Sequence, residues 1–110
     1  MTEEKDYGFA TRSVHAGADP DPATGARSLP IVQSTAFVFK DADHAAALFG
    51  LEDTGYIYSR LTNPTVSAFQ ARVASLEGGV GATCTASGHS AQLLALFALM
   101  ESGDDFIASN

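Results

Sequence analysis

The sequence predicts an α/β fold, the opening of a parallel sheet. Three observations carry this. Helix-like and strand-like segments alternate over the second half of the chain, in the order helix, strand, helix, strand. "VGATCTAS" (80–87) is a short run of small residues suited to burial on both faces, and "DDFIAS" (104–109) reads as a second strand. Between them, "GHSAQLLALFALMESG" (88–103) is apolar nearly all round, as a buried crossover helix would be.

Taken in order, residues 1–29 show no clean period. Their "DPDPATGA" is turn chemistry, with Pro fixing φ and Gly permitting positive φ, so this region reads as an extended arm lying on something else. "IVQSTAFVF" (31–39) is rich in β-branched and aromatic residues and reads as extended, though its alternation is imperfect. "DADHAAALFG" (41–50) reads as a short helix capped by Asp41, with Asp43 at the positive dipole end and Gly50 as its stop. "NPTVSAFQARVASLEGG" (63–79) is the clearest helix. Asn63 suits the N-cap, Pro64 the first position, and Gly78 and Gly79 the end. Val66, Phe69, Val73 and Leu76 recur at helical spacing and predict its buried face. Two strands joined by one helix leave apolar faces without partners. The chain is therefore expected to be the N-terminal piece of a larger protein. There is no internal repeat and no low-complexity tract.

The totals narrow the function. The 110 residues are enough for one small domain, and 45% are apolar, so a packed core is expected. A net charge of −7 argues against nucleic acid and anionic membranes as partners, since both need clustered cations. It leaves an anionic small molecule open, because local geometry can outweigh net charge. A single cysteine, Cys84, excludes an internal disulfide, and "MTEEKDYG" is no secretory signal. The apolar run "LLALFALM" (93–100) is far shorter than a bilayer span. A cytoplasmic location is expected.

Two stretches could carry chemistry, and each admits two readings from the residues alone. In "TASGHSA" (85–91) the first amides of a helix, at Gly88 and His89, could hold a phosphate with help from the Ser87 hydroxyl. An ordinary N-cap on Ser87, with nothing bound, explains the same residues and is the commoner outcome. In "YIYSRLTNPT" (56–65), Tyr58 and Arg60 stand two residues apart in a segment read as extended. They would project to one side and donate to one anion. A surface arginine paired with a carboxylate is again the commoner outcome. His15, His44 and His89 share no metal-ligand spacing, so no metal is assigned. Cys84, mid-strand, reads as a buried structural thiol.

The ordered motifs "TRSVHAG", "DPATGA", "PIVQSTAFVF", "YSRLTNPT", "LEGGVGA" and "ASGHSAQLLAL" resemble the Cys/Met-metabolism enzymes that use pyridoxal 5′-phosphate (PLP). The resemblance runs from about Thr11 to the end. It implies a fold-type-I PLP-dependent transferase. Residues 1–55 would be an N-terminal arm with a first short helix, and 56–110 the start of the large PLP domain. In such enzymes the equivalents of Tyr58 and Arg60 reach across a dimer interface to the neighbouring subunit's PLP phosphate. The amides at Gly88 and His89 would hold the phosphate of their own subunit. Many members have Met or Gln where this chain has His89, so the role of that side chain stays open. Lys5 and Lys40 do not match the lysine that anchors PLP, which the resemblance places beyond residue 110. No catalytic residue is therefore assigned within the chain, which is expected to be inactive alone.

"DADHAAALFGLEDTGYIYSR" is most similar to the O-acetylhomoserine sulfhydrylase branch. It implies γ-replacement on O-acetylhomoserine, or another O-acylhomoserine, with sulfide or a thiol, giving homocysteine or methionine in a homodimer or homotetramer. Two alternatives are a cystathionine γ-synthase or methionine γ-lyase branch, and a non-catalytic phosphate-binding fragment.

Overall fold

The computed structural model describes residues 7–109; Lys5 and Asn110 lie outside that range. Four helices follow one another: α1 (Phe9–His15), α2 (Ala42–Phe49), α3 (Pro64–Glu77) and α4 (Gly88–Leu99). Among the described residues the only strand-like pairing is one antiparallel bridge between Ala36 and Tyr58. The segments 80–87 and 104–109 do not pair, with each other or with anything else described. A strand exists only against a neighbouring edge about 4.8 Å away, and these residues supply none.

The arm is not extended throughout, because α1 interrupts it. Its helix docks on α3 through backbone carbonyls at the ends of both partners. The Arg12 guanidinium donates to the Ser75 carbonyl, and Arg72 Nε donates to Ala16 O at 2.9 Å. Between them Gly17 takes φ of 71°, and a Cβ there would lie 2.4 Å from Ala68 O. Glycine is thus required twice, by its left-handed conformation and by the close approach.

This contact also corrects the expected face of α3. Ala68 and Ala74 are buried, whereas Val66 and Phe69 are exposed and Val73 and Leu76 only half-buried. Small side chains let α1 sit close, and the stripe of larger ones remains outside it. The ends of α3 follow the sequence: Asn63 Oδ1 accepts from Thr65 N at 2.9 Å, Pro64 takes the first turn, and Gly78 closes it at φ 69°.

At α2, Asp41 caps His44 N at 2.7 Å as expected. The stop differs. Gly50 stays right-handed, and the reversal falls one residue later, at Leu51 with φ of 59°. The amides of Glu52 and Asp53 then both donate to Ala47 O.

The largest departure is α4. Its apolar surface was expected to be buried, yet it has no buried residue and packs against no other helix. Leu93, Leu94, Phe97 and Leu99 are all exposed. Cys84 is half-buried, not enclosed. The radius of gyration is 17.6 Å, against about 13 Å for a compact chain of this length. Among the described residues the buried apolar ones are Ala18, Leu48, Ala68 and Ala74. The packed core predicted from composition is therefore not closed by the described residues.

Candidate functional site

The first half of the site is a turn pinned to a strap. Residues 34–37 run antiparallel to 57–59, with Phe37 N donating to Ile57 O at 3.2 Å and Ser59 N to Thr35 O at 2.8 Å. The backbone turns directly after Tyr58, whose carbonyl accepts from Leu61 N at 2.9 Å and Thr62 N at 3.1 Å. The extended reading of this stretch is correct only as far as Tyr58. Tyr58 and Arg60 still share a side, but through the turn and not through strand alternation. The Arg60 guanidinium carbon lies 5.5 Å from the Tyr58 ring centroid, within cation–π range. Its neighbour is thus an aromatic face and not one of the chain's many carboxylates. Both side chains are exposed, so their donors face outward.

The turn is held from below by groups that sequence reasoning undervalued. The Ser59 hydroxyl donates to Ser34 O. Asn63 is buried, 7% exposed, and its Nδ2 donates to Val32 O at 3.0 Å and to Ser59 Oγ at 2.9 Å. Thr65 Oγ1 accepts from Val32 N at 2.9 Å and donates to Pro30 O at 3.3 Å. Asn63 was legible as an N-cap. Its second role follows from valence: when Oδ1 caps a helix, a buried Nδ2 still needs acceptors.

The second half is the start of α4. Ser87 has extended geometry, φ −148° and ψ 154°, and its Oγ accepts from Ser90 N at 3.2 Å. The Thr85 hydroxyl fixes the approach by donating to Ser87 O at 2.8 Å. So the N-cap reading of Ser87 is correct. It does not account for everything, because the amides of Gly88 and His89 have no intrahelical acceptor by the geometry of any helix start. No acidic residue lies in the first turn to compete for an anion. Gly88 is exposed, and a Cβ on it would meet nothing within 4 Å. The fold gives no reason of its own for glycine at that position.

Two clefts flank the α1–α3 contact, one lined by Arg12, Ser75 and Gly78 and the other by His15, Arg27 and Arg72. Neither includes Tyr58, Arg60, Gly88 or His89.

The backbone places the chain in a structural class. It superimposes on the N-terminal part of fold-type-I PLP-dependent enzymes. The metY protein of Campylobacter jejuni, solved with N′-pyridoxyl-lysine-5′-monophosphate in its chain, matches with a TM-score of 0.81 and 41% identity, over 89% of this chain and 23% of that one. The family model for Cys/Met metabolism PLP-dependent enzymes matches residues 10–110, and the chain belongs to that family. Two curated relatives are named O-acetyl-L-homoserine sulfhydrylase. The protein of Leptospira meyeri is 53% identical over 91% of this chain, and that of Corynebacterium glutamicum 55% over 94%. The chain spans about a quarter of the length of these relatives, 23% and 24% respectively. No described helix is long and apolar enough to cross a membrane.

Proposed function

We propose that the full-length protein is a PLP-dependent transferase of sulfur amino-acid metabolism. In it, O-acetylhomoserine or another O-acylhomoserine reacts with sulfide to give homocysteine and the free carboxylic acid; a thiol such as methanethiol gives methionine. PLP, when bound, supplies the electron sink that lets the γ-acyloxy group leave. The residues of this chain hold its phosphate. The Gly88 and His89 amides donate from the positive end of α4, and Gly88 leaves room for close approach. Arg60 offers a bidentate guanidinium and Tyr58 a hydroxyl. These two serve the phosphate of a neighbouring subunit, as in the enzymes the chain resembles, and their exposure leaves them open to it. The reading includes a division of the chain near residue 55 into arm and PLP domain, a homo-oligomeric assembly, and a cytoplasmic setting.

The observation that supports the phosphate assignment is the start of α4: beside the Ser87 cap, the Gly88 and His89 amides have no intrahelical acceptor, no carboxylate lies in the first turn, and a Cβ on Gly88 would meet nothing within 4 Å. The similarity to named O-acetylhomoserine sulfhydrylases supports the choice of reaction. The test is a substrate comparison on the full-length protein loaded with PLP. Sulfide-dependent formation of homocysteine from O-acetylhomoserine should exceed both cystathionine synthesis and methionine cleavage. Dominance of either of those, or failure to retain PLP, would overturn the reading.

A further inference from the structure

We propose that Ser59 is a positioning residue, whose hydroxyl holds the Tyr58–Arg60 turn where it can meet a phosphate. The inference rests on the assignment of Arg60 to the cofactor phosphate. Ser59 lies between the two donors in sequence. Its own side chain faces away from them: Oγ donates to Ser34 O and accepts from Asn63 Nδ2 at 2.9 Å. One hydroxyl thus joins three segments, the strap at 34, the turn at 59 and the start of α3 at 63.

The other restraints on the turn are backbone bonds, with Leu61 N and Thr62 N donating to Tyr58 O at 2.9 and 3.1 Å. Ser59 N–Thr35 O, at 2.8 Å, fixes the bridge side. Beyond it Arg60 is exposed, and the aromatic ring it lies over, Tyr58, sits on the same turn. If the hydroxyl is lost, the side-chain tie from the turn to the strap and to Asn63 goes, and the turn carrying both donors is held by its backbone bonds alone.

The rest of the structure does not depend on this hydroxyl. Without it, Asn63 Oδ1 still caps Thr65, and Nδ2 still reaches Val32 O at 3.0 Å. Thr65 still ties the strap to α3 through Val32 and Pro30. Removing the hydroxyl should therefore cost orientation and not the fold. An orienting group also differs from a phosphate contact in how it couples: its effect should vanish when the group it orients is absent.

The experiment is a double-mutant cycle on PLP affinity in the full-length protein, with apo-enzyme titrated by PLP. Ser59→Ala should weaken binding roughly three- to tenfold, the scale of a lost net hydrogen bond. In a Tyr58→Phe/Arg60→Ala background, which removes both oriented donors, the same substitution should change affinity by about twofold or less. The thermal midpoint of Ser59→Ala should stay near wild type, and Ser59→Thr, which keeps the hydroxyl, should bind PLP as wild type does. Equal losses in both backgrounds, no loss in either, or weak binding by Ser59→Thr overturns the positioning role while leaving the Arg60 assignment standing. An unchanged affinity in Arg60→Ala alone identifies failure of the parent reading instead.

Discussion

The N-termini of α3 and α4 use the same local device and meet opposite surroundings. Each starts on an extended polar cap, Asn63 at φ −145° and Ser87 at φ −148°, whose side chain accepts from the first turn. At α3 the cap is buried, and both ends of its side-chain amide are used within the chain. At α4 the cap is exposed, two amides remain available, and the following glycine touches nothing. The difference teaches which residues the chain keeps for itself. Polar groups around Asn63 are explained by contacts already made, whereas the Gly88 and His89 amides have no partner within the helix and stay open to one from outside.

The two regions should therefore respond oppositely to substitution, most clearly at glycines. Gly17 belongs to the satisfied region, because it sits between α1 and α3. In the full-length protein, Gly17→Val should destabilise by more than the ~1–2 kcal/mol of a left-handed residue alone, since its Cβ also collides with Ala68 O. Urea denaturation checks this, and wild-type stability would show that the α1–α3 contact is dispensable. Gly88→Val should do the reverse. Its stability should remain within about 0.5 kcal/mol of wild type, while PLP binds roughly tenfold more weakly, about 1.4 kcal/mol. Equal affinity in the valine variant would reduce the α4 start to a plain cap. His89→Gln should change neither quantity, since only the amide is used.

Arg60→Ala should weaken PLP binding by about 1.5–3 kcal/mol, the range for a lost charged hydrogen bond, with little effect on unfolding. A fall in stability without a fall in affinity would reassign Arg60 to the satisfied region.

Smaller still is the effect of pH on the 21–26 turn. Asp21 is held below the ordinary carboxylate range, first by the Thr24 hydroxyl and then by the Thr24 amide, with desolvation opposing and the Ala23 amide assisting. A depressed folded value means that the turn is fully stabilised above the ordinary carboxylate range. That support is lost as pH falls through the folded value. The Thr24 amide resonance should report this titration at a pH below that of an unstructured peptide; an ordinary midpoint would deny the hydrogen bonds.

What the sequence revealed was mostly local. Asn63, Pro64 and Gly78 specify α3 because capping acts over three or four residues, and Ser87 marks the start of α4 for the same reason. The phosphate candidates were legible as residues, but Tyr58 and Arg60 converge through a turn that alternation did not foresee. What escaped was non-local. Helix α1 is short and gains its place from Arg12, Arg72 and Gly17 meeting α3, a fit that no periodicity records. The face of α3 was misjudged because Val66 and Phe69 outweigh Ala68 and Ala74 in any hydrophobic count, although close helix approach selects the small residues. Burial of α4 and pairing of 80–87 and 104–109 were read from composition alone. Composition states what a segment can bury and not what is there to cover it.

The central claim is that Arg60 and the start of α4 act on phosphates of different subunits, and a mixed oligomer tests it most directly. One full-length parent carries Arg60→Ala; the other carries Gly88→Val together with loss of the PLP-anchoring lysine, and each must be nearly inactive alone and able to exchange subunits. If Arg60 acts across the interface, the hybrid contains one whole site, built from the first parent's α4 start and lysine and the second parent's Arg60. Activity should then return on mixing. If Arg60 serves its own subunit, neither site is whole, and a hybrid that forms but stays inactive contradicts the account.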